Sequence, residues 1–94
     1  MLSQLPINLE KVEKEDIDKE ILRVGIVAEL DAISFYEQLA AMTDNKAIKK
    51  IILDIAKEEK THVGEFQALL LSLDKEQETE LKSGEEEVKE KTKI

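Results

Sequence analysis

Glu59 and His62 stand three residues apart and offer a carboxylate oxygen and an imidazole nitrogen. On a helix they lie about 60° apart and one turn along, so both can reach a single metal ion. Ile52, Ile55, Ala56, Val63 and Phe66 flank Glu59 on that side. A second acid, Glu29, is surrounded on its own helix face by Leu22, Gly25, Ile26, Ile33 and Tyr36. Burying a carboxylate among such neighbours is costly unless it finds a cation or takes up a proton. Taken singly, each residue also fits a plainer role. A Glu at the edge of an apolar stripe can reach water, and a lone His on a helix is commonly structural. A Glu-x-x-His pair is a short pattern that recurs by chance.

Whether the three meet depends on the elements that carry them. Ile17, Ile21, Val24, Ala28, Ala32, Phe35, Leu39 and Met42 recur at spacings of three and four, which predicts a helix over 17–42. Thr43, Asp44 and Asn45 favour a turn and a helix N-cap. Ile48, Ile51, Ile52, Ile55, Ala56, His62, Val63, Phe66, Leu69, Leu70 and Leu73 predict a second helix over 45–73, with Gly64 marking a close approach between helices. Centring the turn on Asp44 places Glu29 and Glu59 level across an antiparallel hairpin, each fifteen residues from the centre. Residues 1–15 read as a leader, with a turn at Pro6 and Asn8 and a helical turn after Asn8. A short third helix is expected over 75–82. Ser83 and Gly84 break it, and residues 83–94 read as a charged tail or linker. The hairpin domain with its third helix thus spans 16–82.

The expected fold is all-α: a two-helix hairpin plus a short C-terminal helix. Each long helix is apolar over more than one stripe, so one hairpin cannot cover itself. Two hairpins related by a two-fold axis make a four-helix bundle, and a homodimer is expected at minimum. The chain has 94 residues, 41% hydrophobic but only 3% aromatic and without Trp, so its core must come from aliphatic residues. It has no cysteine. Disulfides, iron–sulfur clusters and thiolate zinc sites are therefore excluded, and any metal must bind oxygen and imidazole. The formal net charge of −8 argues against nucleic acid or an anionic membrane as partner and suits attraction of cations. No basic-then-apolar leader and no membrane-length apolar run is visible, so a cytoplasmic location is expected.

Di-iron carboxylate bundles take a Glu from each of two helices and a Glu-x-x-His from each of the other two. One hairpin here holds half that set. A dimer would supply four carboxylates and two imidazoles for two divalent ions. The Glu59 pair would bridge, and Glu29 and His62 would be terminal ligands.

Residues 17–73 resemble the encapsulated ferritin family, half-sized ferritin-like proteins found with encapsulin nanocompartments. The likeness rests on Glu29, the Phe35-Tyr36 pair, Glu59 and His62 at their relative spacing. The resemblance implies a ferroxidase site at a dimer interface, with Tyr36 close behind the ligands. Phe35 stands where the family often has Trp. The family also has an outer acidic site for metal uptake. Asp31 matches one of its positions, whereas Ala28 occupies the other. Further implications are a decamer ring of five dimers, an encapsulin shell protein as partner, and a place inside the nanocompartment. Encapsulin cargo carries a Gly- and Leu-containing targeting peptide, which residues 83–94 lack. They read as a linker to a fused shell protein, or as chain ahead of a lost peptide.

The expected chemistry is oxidation of Fe(II) by O₂ for iron storage in the shell. Hard carboxylate ligands with one His per metal suit Fe, Mn or Zn. Tyr36 either hydrogen-bonds a ligand carboxylate, intercepts stray oxidant, or is simply an interface aromatic with a wet hydroxyl. Asp31, Glu37, Glu58 and Glu65 read as solvated charge, although Glu58 and Glu65 flank His62 and can orient its second nitrogen. The competing readings are a non-enzymatic dimeric helical adaptor and a structural metal-binding module.

Overall fold

The computed structural model describes residues 8–94. Pro6 and the rest of residues 1–7, part of the expected leader, lie outside the described residues. Two 3₁₀ turns, Leu9–Lys11 and Lys14–Asp16, lead into three α-helices: α1 (Ile17–Met42), α2 (Lys46–Leu73) and α3 (Lys75–Thr92). The turn at Leu9–Lys11 is the one expected after Asn8, closed by the Lys11 N–H donating to the Asn8 carbonyl at 3.1 Å. Among the described residues there is no strand.

Helices α1 and α2 form the antiparallel hairpin. Their junction is set by side chains that replace missing backbone partners. The Asn45 Oδ1 accepts from the N–H groups of Ala47 and Ile48 at 3.0 and 3.1 Å. This N-cap fixes the first turn of α2. The Thr43 hydroxyl accepts from the Asn45 N–H at 3.1 Å and holds the cap in place. Asn45 is thus the cap of α2, one residue before the helix itself.

The seam between α1 and α2 buries Leu22, Ala40, Ala56 and Leu70. Gly25 is where the helices need space. A Cβ there would lie 3.0 Å from Phe66 Cε1 and 3.1 Å from its Cδ1 and Cζ. The absent side chain lets the Phe66 ring lie directly against the α1 backbone. Gly64, expected to mark a close approach, does not: an added Cβ would meet nothing within 4 Å.

Apolar residues outnumber the places that the hairpin can bury. Ile21, Phe35, Ile48, Ile51, Leu69 and Leu73 are all exposed. They lie on α1 and α2 to one side of the seam, because the two antiparallel helices turn their second stripes the same way.

The third helix differs from expectation. It continues through Ser83 and Gly84 to Thr92 and takes in most of the expected tail 83–94. A single glycine costs a helix about 1 kcal/mol relative to alanine. Local interactions offset this. Glu76 and Glu78 sit at the positive end of α3, and Lys89 and Lys91 at the negative end. Lys89 also pairs with Glu85 one turn back at 3.1 Å.

Asp74 joins α3 to the hairpin. Its Oδ1 accepts from the Gln77 N–H at 3.0 Å, capping α3. Its Oδ2 accepts from the Arg23 guanidinium of α1 at 3.0 Å. Arg23 also donates to Glu20 at 2.9 Å. The Asp74 carboxyl is held below the usual carboxylate range, first by the Gln77 N–H and then by Lys19 and Arg23.

Two outcomes follow for stability. Gly64→Ala is expected to stabilise the protein by about 1 kcal/mol through helix propensity, whereas Gly25→Val should destabilise it by about 1–3 kcal/mol by overpacking against Phe66; thermal melts read both. Asp74 is depressed in the folded state, so its contribution is complete above about pH 4 and is lost as pH falls through the folded value. Asp74→Ala should speed hydrogen exchange at the Gln77 amide at neutral pH. Asp74→Asn, which can still cap, should keep that protection and lose its acid dependence.

Candidate metal centre

Glu29 lies thirteen residues before the end of α1, and Glu59 thirteen residues after the start of α2. Each is therefore about 20 Å along its helix from the turn. The capped junction at Asn45 keeps this register, and the two carboxylates meet across the seam. Donor atoms of Glu29, Glu59 and His62 all lie within 4.8 Å of one another.

The His62 Nδ1 faces both acids. It is 3.4 Å from Glu59 Oε2 and 3.6 Å from Glu29 Oε2. Both carboxylates are mostly buried, their side chains 19% and 18% exposed for Glu29 and Glu59, while His62 is 45% exposed. Glu29 Oε2 is itself buried and has no hydrogen-bond partner among the described residues. A buried carboxylate oxygen left unsatisfied is costly.

The arrangement fits a divalent ion. Two oxygens and one nitrogen, each about 2.0–2.2 Å from a metal, sit roughly 3.0–3.5 Å apart, close to the separations observed around Nδ1. An ion here would satisfy the orphaned oxygen of Glu29 and neutralise the two carboxylates together. Glu29, Glu59 and His62 are the residues able to hold it, and Nδ1 is the imidazole nitrogen positioned for the purpose.

The other residues singled out from the sequence lie elsewhere. Tyr36 is half-buried two turns beyond Glu29, its ring 5.5 Å from that of Phe35 and tilted by 58°. No hydrogen bond joins its hydroxyl to Glu29, Glu59 or His62 among the described residues. Asp31 is outside the cluster of converging donors. Glu37 pairs with Lys60 across the seam at 3.5 Å, on the side away from the exposed apolar stripe. Glu58 makes no hydrogen bond to His62 among the described residues. Glu65 lines a cavity of about 300 Å³ together with Glu29, His62, Phe66 and Leu69. In the sequence, only the spacing of three that joins Glu59, His62 and Glu65 points to this side of α2.

The rubrerythrin family model matches residues 20–94. The chain belongs to the rubrerythrin family. This ferritin-like chain superposes over its whole length on the crystal structure of the encapsulated ferritin domain from Pyrococcus furiosus, covering 98% of that chain at 56% identity with a TM-score of 0.85. It is therefore a ferritin-like half-domain, a helical hairpin with a third helix, and the resemblance to encapsulated ferritins holds. The chain is 57% identical over its full length to a ferritin-like–encapsulin shell fusion protein of Pyrococcus furiosus. It is 41% identical, over 60% of its length, to the encapsulin nanocompartment cargo protein EncC of Myxococcus xanthus. The ferritin-like chain spans 28% of the fusion protein and 43% of the cargo protein. No helix among the described residues is long and apolar enough to cross a membrane.

Metal binding should be visible as stability. A divalent ion at a hundred times its Kd raises folding stability by about 2.7 kcal/mol. Adding Zn(II) to the metal-free protein should accordingly raise its melting temperature, and Glu59→Ala and His62→Ala should remove the rise. A rise of equal size in both variants would place the ion elsewhere.

Proposed function

We propose that this protein is a ferroxidase, oxidising Fe(II) with O₂ at a di-iron site completed by a second copy of the chain. The observation that carries the reading is the convergence of Glu29, Glu59 and the His62 Nδ1, with a buried Glu29 oxygen that accepts no hydrogen bond among the described residues.

Three donors from one chain hold one ion. The exposed apolar stripe flanks His62 on the same side of the hairpin, so a partner seated there brings its own three donors alongside. Four carboxylates then balance two Fe(II) ions in charge. The two Glu59 carboxylates would be shared between the ions, and Glu29 and His62 of each chain would be terminal ligands. Tyr36, two turns along the Glu29 face of α1, would serve as a hydrogen-bond donor or as a guard against stray oxidant. Asp31 serves on the path of metal uptake.

Iron is the substrate. Each Fe(II) gives up one electron, so two Fe(II) and two protons reduce one O₂ to hydrogen peroxide, and four Fe(II) and four protons reduce it to two waters. Glu29 and Glu59 favour the more highly charged product ion, because hard anionic oxygens bind Fe(III) better than Fe(II). The apolar walls around them limit water and strengthen that preference.

Relatives that are an encapsulin fusion and an encapsulin cargo protein support a working place inside an encapsulin nanocompartment. The shell is the partner that receives the Fe(III). We assign the higher assembly as a ring of five dimers, with the hairpin domain of residues 16–82 as its repeating unit and the residues from 83 onward reaching toward the shell.

The test is oxidation of Fe(II) in air, followed by ferric absorbance. The protein should accelerate the reaction well above buffer alone. Glu29→Ala, Glu59→Ala and His62→Ala should each remove most of the acceleration. A rate equal to buffer would sink the reading in favour of an adaptor, and metal binding without acceleration would leave a structural site.

A further inference from the structure

Helix α3 is joined to the hairpin by one residue. Asp74 has φ −127° and ψ 91°, while Leu73 before it and Lys75 after it are helical. There is no slack on either side. The Asp74 N–H still donates to the Leu70 carbonyl of α2 at 2.9 Å, and the Asp74 carbonyl already accepts from the Glu78 N–H of α3 at 3.2 Å. The change of direction is therefore taken up by the two backbone dihedrals of Asp74.

Packing does little to fix that direction. Helix α3 buries none of its residues, and Leu81 and Val88 stand exposed on it. A helix without a buried side gains no hold from apolar contact. What reaches the elbow from α1 is Arg23, the one arginine of the chain. Its guanidinium is a rigid fork. Nη1 donates to Glu20, one turn back on α1, at 2.9 Å, and Nη2 donates to Asp74 Oδ2 at 3.0 Å. Glu20 thus braces the fork against α1, and the other prong holds the elbow. The Asp74 side chain is only 14% exposed, so salt and water screen this tie less than they screen a surface pair. The cap is separate, because Oδ1 accepts from the Gln77 N–H. Losing Arg23 would leave the first turn of α3 capped.

We propose that α3 is an arm hinged at Asp74, and that Arg23 is the latch that fixes its direction. With the latch closed, the arm takes one direction relative to α1. With the latch open, the arm stays helical and swings about the Asp74 dihedrals, as a hinge at the end of an element does. A pull on α3 is passed through one guanidinium to α1, the helix that carries Glu29. The latch does not depend on whether iron is oxidised at the cluster.

The experiment measures the direction of the arm in the intact protein. The chain has no cysteine, so two spin labels can be placed uniquely. Lys57→Cys on α2 and Lys91→Cys near the end of α3 supply exposed positions. The labelled chain is co-assembled with excess unlabelled chain, so that double electron–electron resonance reads the distance within one chain. With Arg23 present the distribution should be narrow. Arg23→Gln should broaden it about twofold or more, while the Gln77 amide keeps its protection from hydrogen exchange. Lys19→Gln is the control. Lys19 acts on Asp74 through charge and makes no hydrogen bond to it among the described residues, so this variant should stay narrow. An unchanged width in Arg23→Gln, or equal broadening in Lys19→Gln, would overturn the proposal. So would a distribution already as broad with Arg23 in place. Broadening accompanied by loss of Gln77 protection would overturn it as well, because the helix would then be melting and not swinging.

Discussion

A carboxylate oxygen of Glu29 is buried between two helices and accepts no hydrogen bond among the described residues, with the His62 Nδ1 3.6 Å away. Most of the molecule is arranged around that fact. The orphaned oxygen would be a simple loss of stability in a bundle whose purpose was only to pack. Here a second carboxylate, Glu59, and the Nδ1 of His62 close on the same point, within 4.8 Å. Two like charges gathered in a poorly solvated place repel each other unless a cation sits between them. The fold therefore holds the site in a state that binding an ion would relieve, and this is the ordinary physical form of a metal centre on a helical bundle.

Holding that arrangement requires control of the register between α1 and α2. A slip of one residue would displace Glu59 from Glu29 by about 1.5 Å along the helix and rotate it by 100°. The Asn45 cap resists the slip by fixing where α2 begins. Gly25 and the buried Ala40 and Ala56 let the two helices approach closely. Phe66 then fills the space against α1 and becomes one wall of the cavity beside Glu29 and His62. The parts that bring the helices together are the same parts that shape the site.

The hairpin alone leaves a broad apolar side exposed, and His62 sits on it. An ordinary monomer of this size covers such a stripe. Completion of the core and completion of the metal site are therefore one event in the proposed assembly. The elbow at Asp74 serves a related end. One carboxylate caps α3 and anchors it to Arg23 of α1, so the direction in which α3 leaves the hairpin is tied to the helix that carries Glu29.

Much of this was legible in the residues themselves. The periodicity of α1 and α2, the turn at Thr43–Asn45 and the level placement of Glu29 and Glu59 follow from 3.6 residues per turn and a short antiparallel connection. Those are local rules, and the sequence satisfies them without conflict. The extent of α3 was not legible, because Ser83 and Gly84 read as a break and the favourable end charges and the Glu85–Lys89 pair outweigh them only once the helix is formed. Gly25 and Gly64 were likewise indistinguishable as letters. Which glycine touches Phe66 depends on how the helices cross, and the cavity lined by Glu65 depends on where that ring comes to rest. Sequence determined the elements and the level placement of Glu29, Glu59 and His62, since both depend on neighbours along the chain. Tertiary packing decided the orphaned oxygen, the nitrogen of His62 that faces the acids, and the space beside them, since each is a distance between helices.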